Sequence, residues 1–257
     1  MRSMTEQNAQ SSPIADAEVT SAAPLPEAVH SADPDDLLRA AADPALTADL
    51  ALALLKRGDL PAEVLEQLAK NRSALKLRKV KIALACHPRA PRHVSVPLIR
   101  QFYTFDLMKA ALSPLVPTDV KLTADEALIA RLKTITLGER LTLARQASGR
   151  IAGALLLDTE QRIMRAALEN SRLTEAPVVK AVLNPSASAA LVQAVSQHAK
   201  WSYRRDVQIA LLRSEHLSLA RALAFARTLS PAQLREILQI SRLSAIIKEQ
   251  LLQEIRS

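Results

Sequence analysis

The sequence predicts an all-α fold, an α-solenoid of short helices in two tandem halves related by internal duplication, behind a disordered N-terminal tail. Three observations predict it: a composition that favours helix, a helix-stop and helix-start motif that recurs along the chain, and one constant interval between matched copies of that motif.

Only four of the 257 residues are Gly, and Ala, Leu, Arg, Gln and Glu dominate the rest. These side chains lose little rotamer freedom in a helix, whereas Gly would loosen it. Aromatics supply 2 % of residues. The packing must therefore be aliphatic, which suits many small helix contacts better than one aromatic-rich core.

Residues 1 to 34 read as a disordered acidic tail, because Ser, Ala, Pro, Glu and Asp without helical periodicity bury too little apolar surface to offset the ordering entropy. Met1 to Asp36 carries seven acidic residues against Arg2, whereas the remainder carries 33 Lys and Arg against 19 Asp and Glu. A basic body of that size raises the question of an acidic partner, and the tail itself is one candidate.

Residues 35 to 136 form the first predicted half. Its corners are Asp43-Pro44-Ala45-Leu46-Thr47, His87-Pro88-Arg89-Ala90-Pro91 and Ser113-Pro114-Leu115-Val116-Pro117, with a weaker one ending at Pro61. In each, Pro halts the preceding helix, the apolar residue plugs the corner, and Thr, Ser or Pro suits the start of the next helix. A capping box is expected at Thr123 and Glu126. Residues 137 to 158 read as connecting helices, opening at Leu137-Gly138-Glu139.

Residues 159 to 257 form the second half and a C-terminal capping helix of about Ser244 to Arg256. Leu46, Leu60, Ala90 and Val116 recur as Leu173, Ala187, Leu217 and Leu243, each 127 positions on. The same offset aligns Arg78-Lys79-Val80-Lys81-Ile82-Ala83-Leu84 with Arg205-Asp206-Val207-Gln208-Ile209-Ala210-Leu211. A second capping box is expected at Ser230 and Gln233, with Pro231 between.

These residues resemble the leucine-rich-repeat-variant and HEAT-like α-solenoids, whose units pair an Arg-x-x-Val-x-x-Ala-Leu helix with an Asn-Pro-x-Thr-Pro type corner and a Val/Leu-rich second helix. The matching pieces are Arg205 to Leu212 with Ser214 to Ser218, Arg78 to Leu84 with His87 to Pro91, and Asn184 to Val195. The resemblance implies a curved stack of helices with a general binding role. The cysteine-ligated iron-sulfur cluster of some variant-class members does not carry over, because Cys86 is the one cysteine here.

The same lone cysteine excludes a disulfide framework within the chain and points to a reducing, cytoplasmic setting. The apolar runs are too short for a signal peptide or a membrane span. The five histidines lack a metal spacing, and no nucleophile elbow or Gly-rich phosphate loop is present, so neither catalysis nor a cofactor, metal or small-molecule ligand is expected. The candidate binding patch is Lys76, Arg78, Lys79 and Lys81 in the first half and Lys200, Trp201, Tyr203, Arg204 and Arg205 in the second. Two functions follow: a non-enzymatic scaffold that holds a protein partner in an extended groove, or a nucleic-acid binder whose two basic patches grip phosphates while Trp201 or Tyr203 stacks on a base. The plainer view of the patch has Lys and Arg covering helix surfaces and pairing with neighbouring acids, and Trp201 and Tyr203 packed between halves.

Overall fold

The computed structural model describes residues 24 to 254, which form seventeen α-helices and no strand. They are α1 (Leu25–Ala28), α2 (Pro34–Ala42), α3 (Ala48–Leu55), α4 (Ala62–Lys70), α5 (Arg78–Ala85), α6 (Arg92–Ile99), α7 (Thr104–Leu112), α8 (Thr118–Arg131), α9 (Leu137–Gln146), α10 (Gly149–Leu155), α11 (Gln161–Leu168), α12 (Glu175–Val182), α13 (Ala189–Gln197), α14 (Arg205–Arg213), α15 (Leu219–Ala226), α16 (Pro231–Ile240) and α17 (Ala245–Glu254). A single 3₁₀ turn, Ala74–Lys76, precedes α5. None of these helices is long and apolar enough to cross a membrane.

The helices are short because the corners cap them. Thr47, Ser148, Ser188 and Ser230 each accept a hydrogen bond from the backbone amide three residues on, which satisfies a donor the first turn leaves open. At Pro61, Pro91 and Pro117 the proline occupies the N-cap itself rather than the first turn. The capping box at Ser230 and Gln233 is present. That expected at Thr123 and Glu126 is not: Thr123 lies inside α8 and its hydroxyl donates to the Asp119 carbonyl at 3.0 Å. The box falls at Thr136 and Glu139 instead, where it opens α9.

The expectation of an unstructured tail to residue 34 does not hold for residues 24 to 34. Ala28 and Val29 are buried, and the Arg57 guanidinium donates to the carbonyls of Val29 at 3.3 Å and Ser31 at 2.6 Å. Residues 1 to 23 of that segment lie outside the described residues, as do 255 and 256 of the expected last helix.

Packing alternates along the chain. In one row α3 packs on α5, α6 on α8, α8 on α10, α10 on α12, α12 on α14 and α14 on α16. In the other α2 packs on α4, α9 on α11, α11 on α13 and α15 on α17. Helices that begin at Pro34, Ala48, Ala62, Arg78, Arg92, Thr104 and Thr118 are answered, at the same interval as the corner plugs, by helices that begin at Gln161, Glu175, Ala189, Arg205, Leu219, Pro231 and Ala245. That interval also sets α1 against the second half of α10, whereas the positions equivalent to α9 lie outside the described residues.

The core is mostly aliphatic, with Phe102, Phe225 and Trp201 among its buried side chains and Trp201 the largest that is fully buried. It divides into a cluster from Ala28 to Val94 and a larger one from Ala85 to Leu251, with Leu98 against both. No break falls at residue 136, because α8 and α10 pack directly across the junction between the expected halves.

Corner side chains tie each unit to the one before. Asn71 donates to the carbonyls of Ala41 at 3.0 Å and Asp43 at 2.8 Å, while its own carbonyl oxygen accepts from the amides of Ser73 and Ala74. Asn170 repeats this on Ala144 and Ala147, and His87 Nε2 bonds the Arg57 carbonyl at 2.7 Å. Helix C-termini leave carbonyls without partners, and here the next unit supplies the donors.

Candidate functional site

The two basic patches begin at equivalent places, the N-terminal turns of α5 and α14. Cations at a helix N-terminus oppose the helix dipole, so these charges do not serve the helices that carry them. Arg78 is compensated within the chain: Nε donates to Asp106 Oδ2 at 2.7 Å, Nη2 bonds the same oxygen, and the guanidinium lies 4.5 Å from the centre of the Tyr103 ring. Lys76 and Lys81 join them around a cavity of about 220 Å³. Tyr103 is 67 % exposed. Sequence reasoning missed Tyr103 and Asp106, which reach Arg78 from the N-cap and first turn of α7, two helices further along the chain. Lys79 is exposed beside them.

Arg205 is tied more weakly. Gln233 stands 127 positions beyond Asp106, and Arg205 Nη2 donates to its neutral amide oxygen at 3.1 Å. Lys200 Nζ sits 4.1 Å from the centre of the Trp201 ring and donates to the Leu173 carbonyl at 3.4 Å. Trp201 is 1 % exposed and its indole N–H donates to the Leu168 carbonyl at 3.0 Å. A ring so enclosed is structural and offers no face to a base. Tyr203 is 82 % exposed next to Arg204 and Arg205, so the two aromatics have opposite fates. The patches are not neighbours: the route of packed helices from α5 to α14 runs through α6, α8, α10 and α12.

A second feature lies on the exposed side of the row α10, α12, α14 and α16. Three cavities adjoin there. The first, about 430 Å³, lies among α8, α10 and α12; the second, about 870 Å³, lies between α12 and α14; the third, about 280 Å³, lies between α14 and α16. Ala176, Lys180 and Asn184 line both the first and the second, and Ile209 and Arg213 line both the second and the third, so the three form one groove. Its floor is aliphatic, including Ala154, Val179, Leu183, Ile209 and Ile237. The lining positions recur at i, i+3, i+4 and i+7 on α10 and α14, which is one helix face. These helices thus present aliphatic residues to the core and, between charged ones, again to the groove.

Polar groups edge the groove, and at its shared walls they are largely unspent. Lys180 and Arg213 form no ion pair among the described residues, and Arg213 Nε is buried without a partner. Asn184 Oδ1 accepts from the Ser186 amide at 2.8 Å, whereas its Nδ2 donates to nothing within the described residues. At the position 127 residues earlier stands Arg57, whose longer side chain reaches the end of α1. Asn184 stops short of the equivalent end of α10, and the groove opens there.

Cys86 is half-buried, and burial raises its thiol to about 11, so it is protonated at neutral pH and a poor nucleophile. His87 and His198 are held by the corners, with Nδ1 accepting from the amides of Arg89 and Lys200. Among the described residues no three His, Cys, Asp or Glu side chains gather as metal ligands. No family model, curated protein or solved structure matches the chain.

Proposed function

We propose that this chain is a non-enzymatic helical-repeat scaffold, an α-solenoid of two tandem copies, that holds a protein partner along the groove of α10, α12, α14 and α16. The duplication is supported by the seven helix starts that recur at one interval and by equivalent pairs such as Arg78 with Asp106 and Arg205 with Gln233. The two rows in which helices pack on the next but one, such as α8, α10, α12, α14 and α16, support the solenoid.

The observation that carries the binding role is the continuity of the groove. Three cavities share their walls, and at the shared walls Lys180 and Arg213 form no ion pair and Asn184 Nδ2 donates to nothing among the described residues. Apolar concavity with a few unspent polar groups is the usual character of a recognition surface. The test is selection of random displayed peptides on the full chain. Binders should lose affinity for Ala176→Trp, which blocks the first two cavities from an exposed position, and keep it for Lys79→Glu. Failure to select binders, or indifference to Ala176→Trp, overturns the reading.

A nucleic-acid role is the second reading, favoured by the exposed Tyr103 and Tyr203 rings beside Arg78 and Arg204. It requires binding that falls steeply with salt and weakens on changing Lys79, Lys81, Arg204 and Arg205 to Glu. Binding to a labelled oligonucleotide that is absent or indifferent to salt sinks it.

A further inference from the structure

The groove also carries a chemical description of its occupant. We infer that it takes an extended acidic peptide, whose aliphatic side chains fill the cavities while its carboxylates pair with Lys180 and Arg213; this rests on the scaffold reading above.

The charges at the two junctions between cavities select the sign. Lys180 stands where the first two cavities meet and Arg213 where the second and third meet, so cations and apolar hollows alternate along the groove. Neither cation has an anionic partner among the described residues, and Arg213 holds a buried Nε without an acceptor. An unpaired buried donor is costly, and a carboxylate presented by the occupant removes that cost. Glu126 blunts Arg150 at the far end, at 3.7 Å, and Gln233 holds Arg205, which leaves Lys180 and Arg213 as the lining cations without a side-chain partner among the described residues; Glu175, Asp206 and Glu236 each line one cavity and stand at neither junction.

Spacing selects the conformation. Packed helices stand roughly 8 to 10 Å apart, and an extended chain advances about 3.3 Å per residue. Lys180 and Arg213 lie on the adjacent helices α12 and α14, so carboxylates three residues apart match them with an aliphatic residue between. Asn184 Nδ2 is the free donor for a peptide carbonyl between the first two cavities. Nucleic acid fits the groove less well, because no aromatic ring lines it for a base to stack on.

Fluorescence anisotropy with the full chain tests this. The probes are labelled (Glu-Val-Ser)₄, (Lys-Val-Ser)₄ and (Glu-Ser-Ser)₄ and the oligonucleotide dT₁₂. The acidic aliphatic peptide should bind, the basic one should not, and the one without valine should bind at least tenfold more weakly. Lys180→Glu and Arg213→Glu should each reduce affinity about tenfold or more, with helix content checked by circular dichroism. Lys180 is exposed, so its variant remains informative if Arg213→Glu misfolds. Equal binding of the basic peptide, indifference to Lys180→Glu, or displacement of the peptide by dT₁₂ overturns the proposal. If displayed peptides map to the groove through Ala176 but (Glu-Val-Ser)₄ does not bind, the acidic occupant falls and the scaffold stands; if neither binds, both fall.

Discussion

Gly153 lies against Pro177 so closely that a Cβ built on the glycine would stand 2.6 Å from the proline Cβ. Gly149, one turn earlier, would meet the Arg172 carbonyl oxygen closer still. The two glycines let α10 approach α12 and the corner before it, and this contact forms the wall of the first cavity. Neither neighbour is a flexible side-chain end, so a methyl group must push the helices apart. Gly153→Ala should destabilise the fold by about 1–3 kcal/mol, despite alanine's better helix propensity. Gly138→Ala meets nothing within 4 Å and should be neutral or mildly stabilising. Urea unfolding distinguishes them; a Gly153→Ala protein as stable as Gly138→Ala removes the close-approach argument.

The corners were legible in the sequence because their chemistry is local. Pro, a small polar residue and a plug such as Leu173 or Leu217 announce a stop and a start within five positions, and the helix starts recur at the same interval as the plugs. The Thr136 and Glu139 box was hidden by the apolar Leu137 between them, and Thr123 imitated a cap from inside α8. The groove was not legible. Val179 and Ile209 sit beside core residues Val178 and Ala210, and periodicity alone assigns both sets to one broad apolar stripe. Tyr103 and Asp106 were missed as partners of Arg78 because the contact runs between units.

Asn71 and Asn184 occupy similar corners with very different commitments. Asn71 makes four hydrogen bonds, two of them to carbonyls of the preceding unit, from a buried position. The Asn184 side chain makes one, to the Ser186 amide. Asn71→Ala should therefore cost about 2–4 kcal/mol, and Asn184→Ala under about 1 kcal/mol. Equal losses in chemical denaturation would contradict the inter-unit capping described for Asn71.

Transplanting the Arg57 arm should close the groove and stabilise the chain together. Arg57 is steered by Asp59, at 3.1 Å, toward the carbonyls that end α1. Asn184 and Ser186 stand 127 positions beyond Arg57 and Asp59. The double change Asn184→Arg with Ser186→Asp should cap the end of α10 and add about 1 kcal/mol, a modest figure because the pair is partly exposed. Displayed peptides that bind the parent should bind this variant more weakly. Unchanged stability would show that the end of α10 differs from that of α1.

Asp125 gives the chain a pH dependence of known sign. Its carboxyl is buried on α8, and burial raises its pKa above the ordinary value of 3.8, opposed by the Ser148 hydroxyl that donates to Oδ1 at 2.8 Å and by the Arg150 charge. The folded state thus holds this proton more tightly than the unfolded chain. The stabilisation from this group is full below pH 3.8 and is lost as pH rises through the folded value, leaving a buried charge at neutrality. Asn at this position keeps an oxygen for Ser148 and carries no charge. Asp125→Asn should therefore match or fall slightly below the parent near pH 3 and exceed it by about 1 kcal/mol at pH 7. Asp59 and Glu139, whose pKa values are lowered by hydrogen bonds from Arg57 and Thr136, act with the opposite sign in both proteins and cancel in the comparison. Urea denaturation of both proteins at the two pH values measures the difference. A gain of the same size at pH 3 would mean that packing around Ser148, and not the ionisation of Asp125, sets the effect.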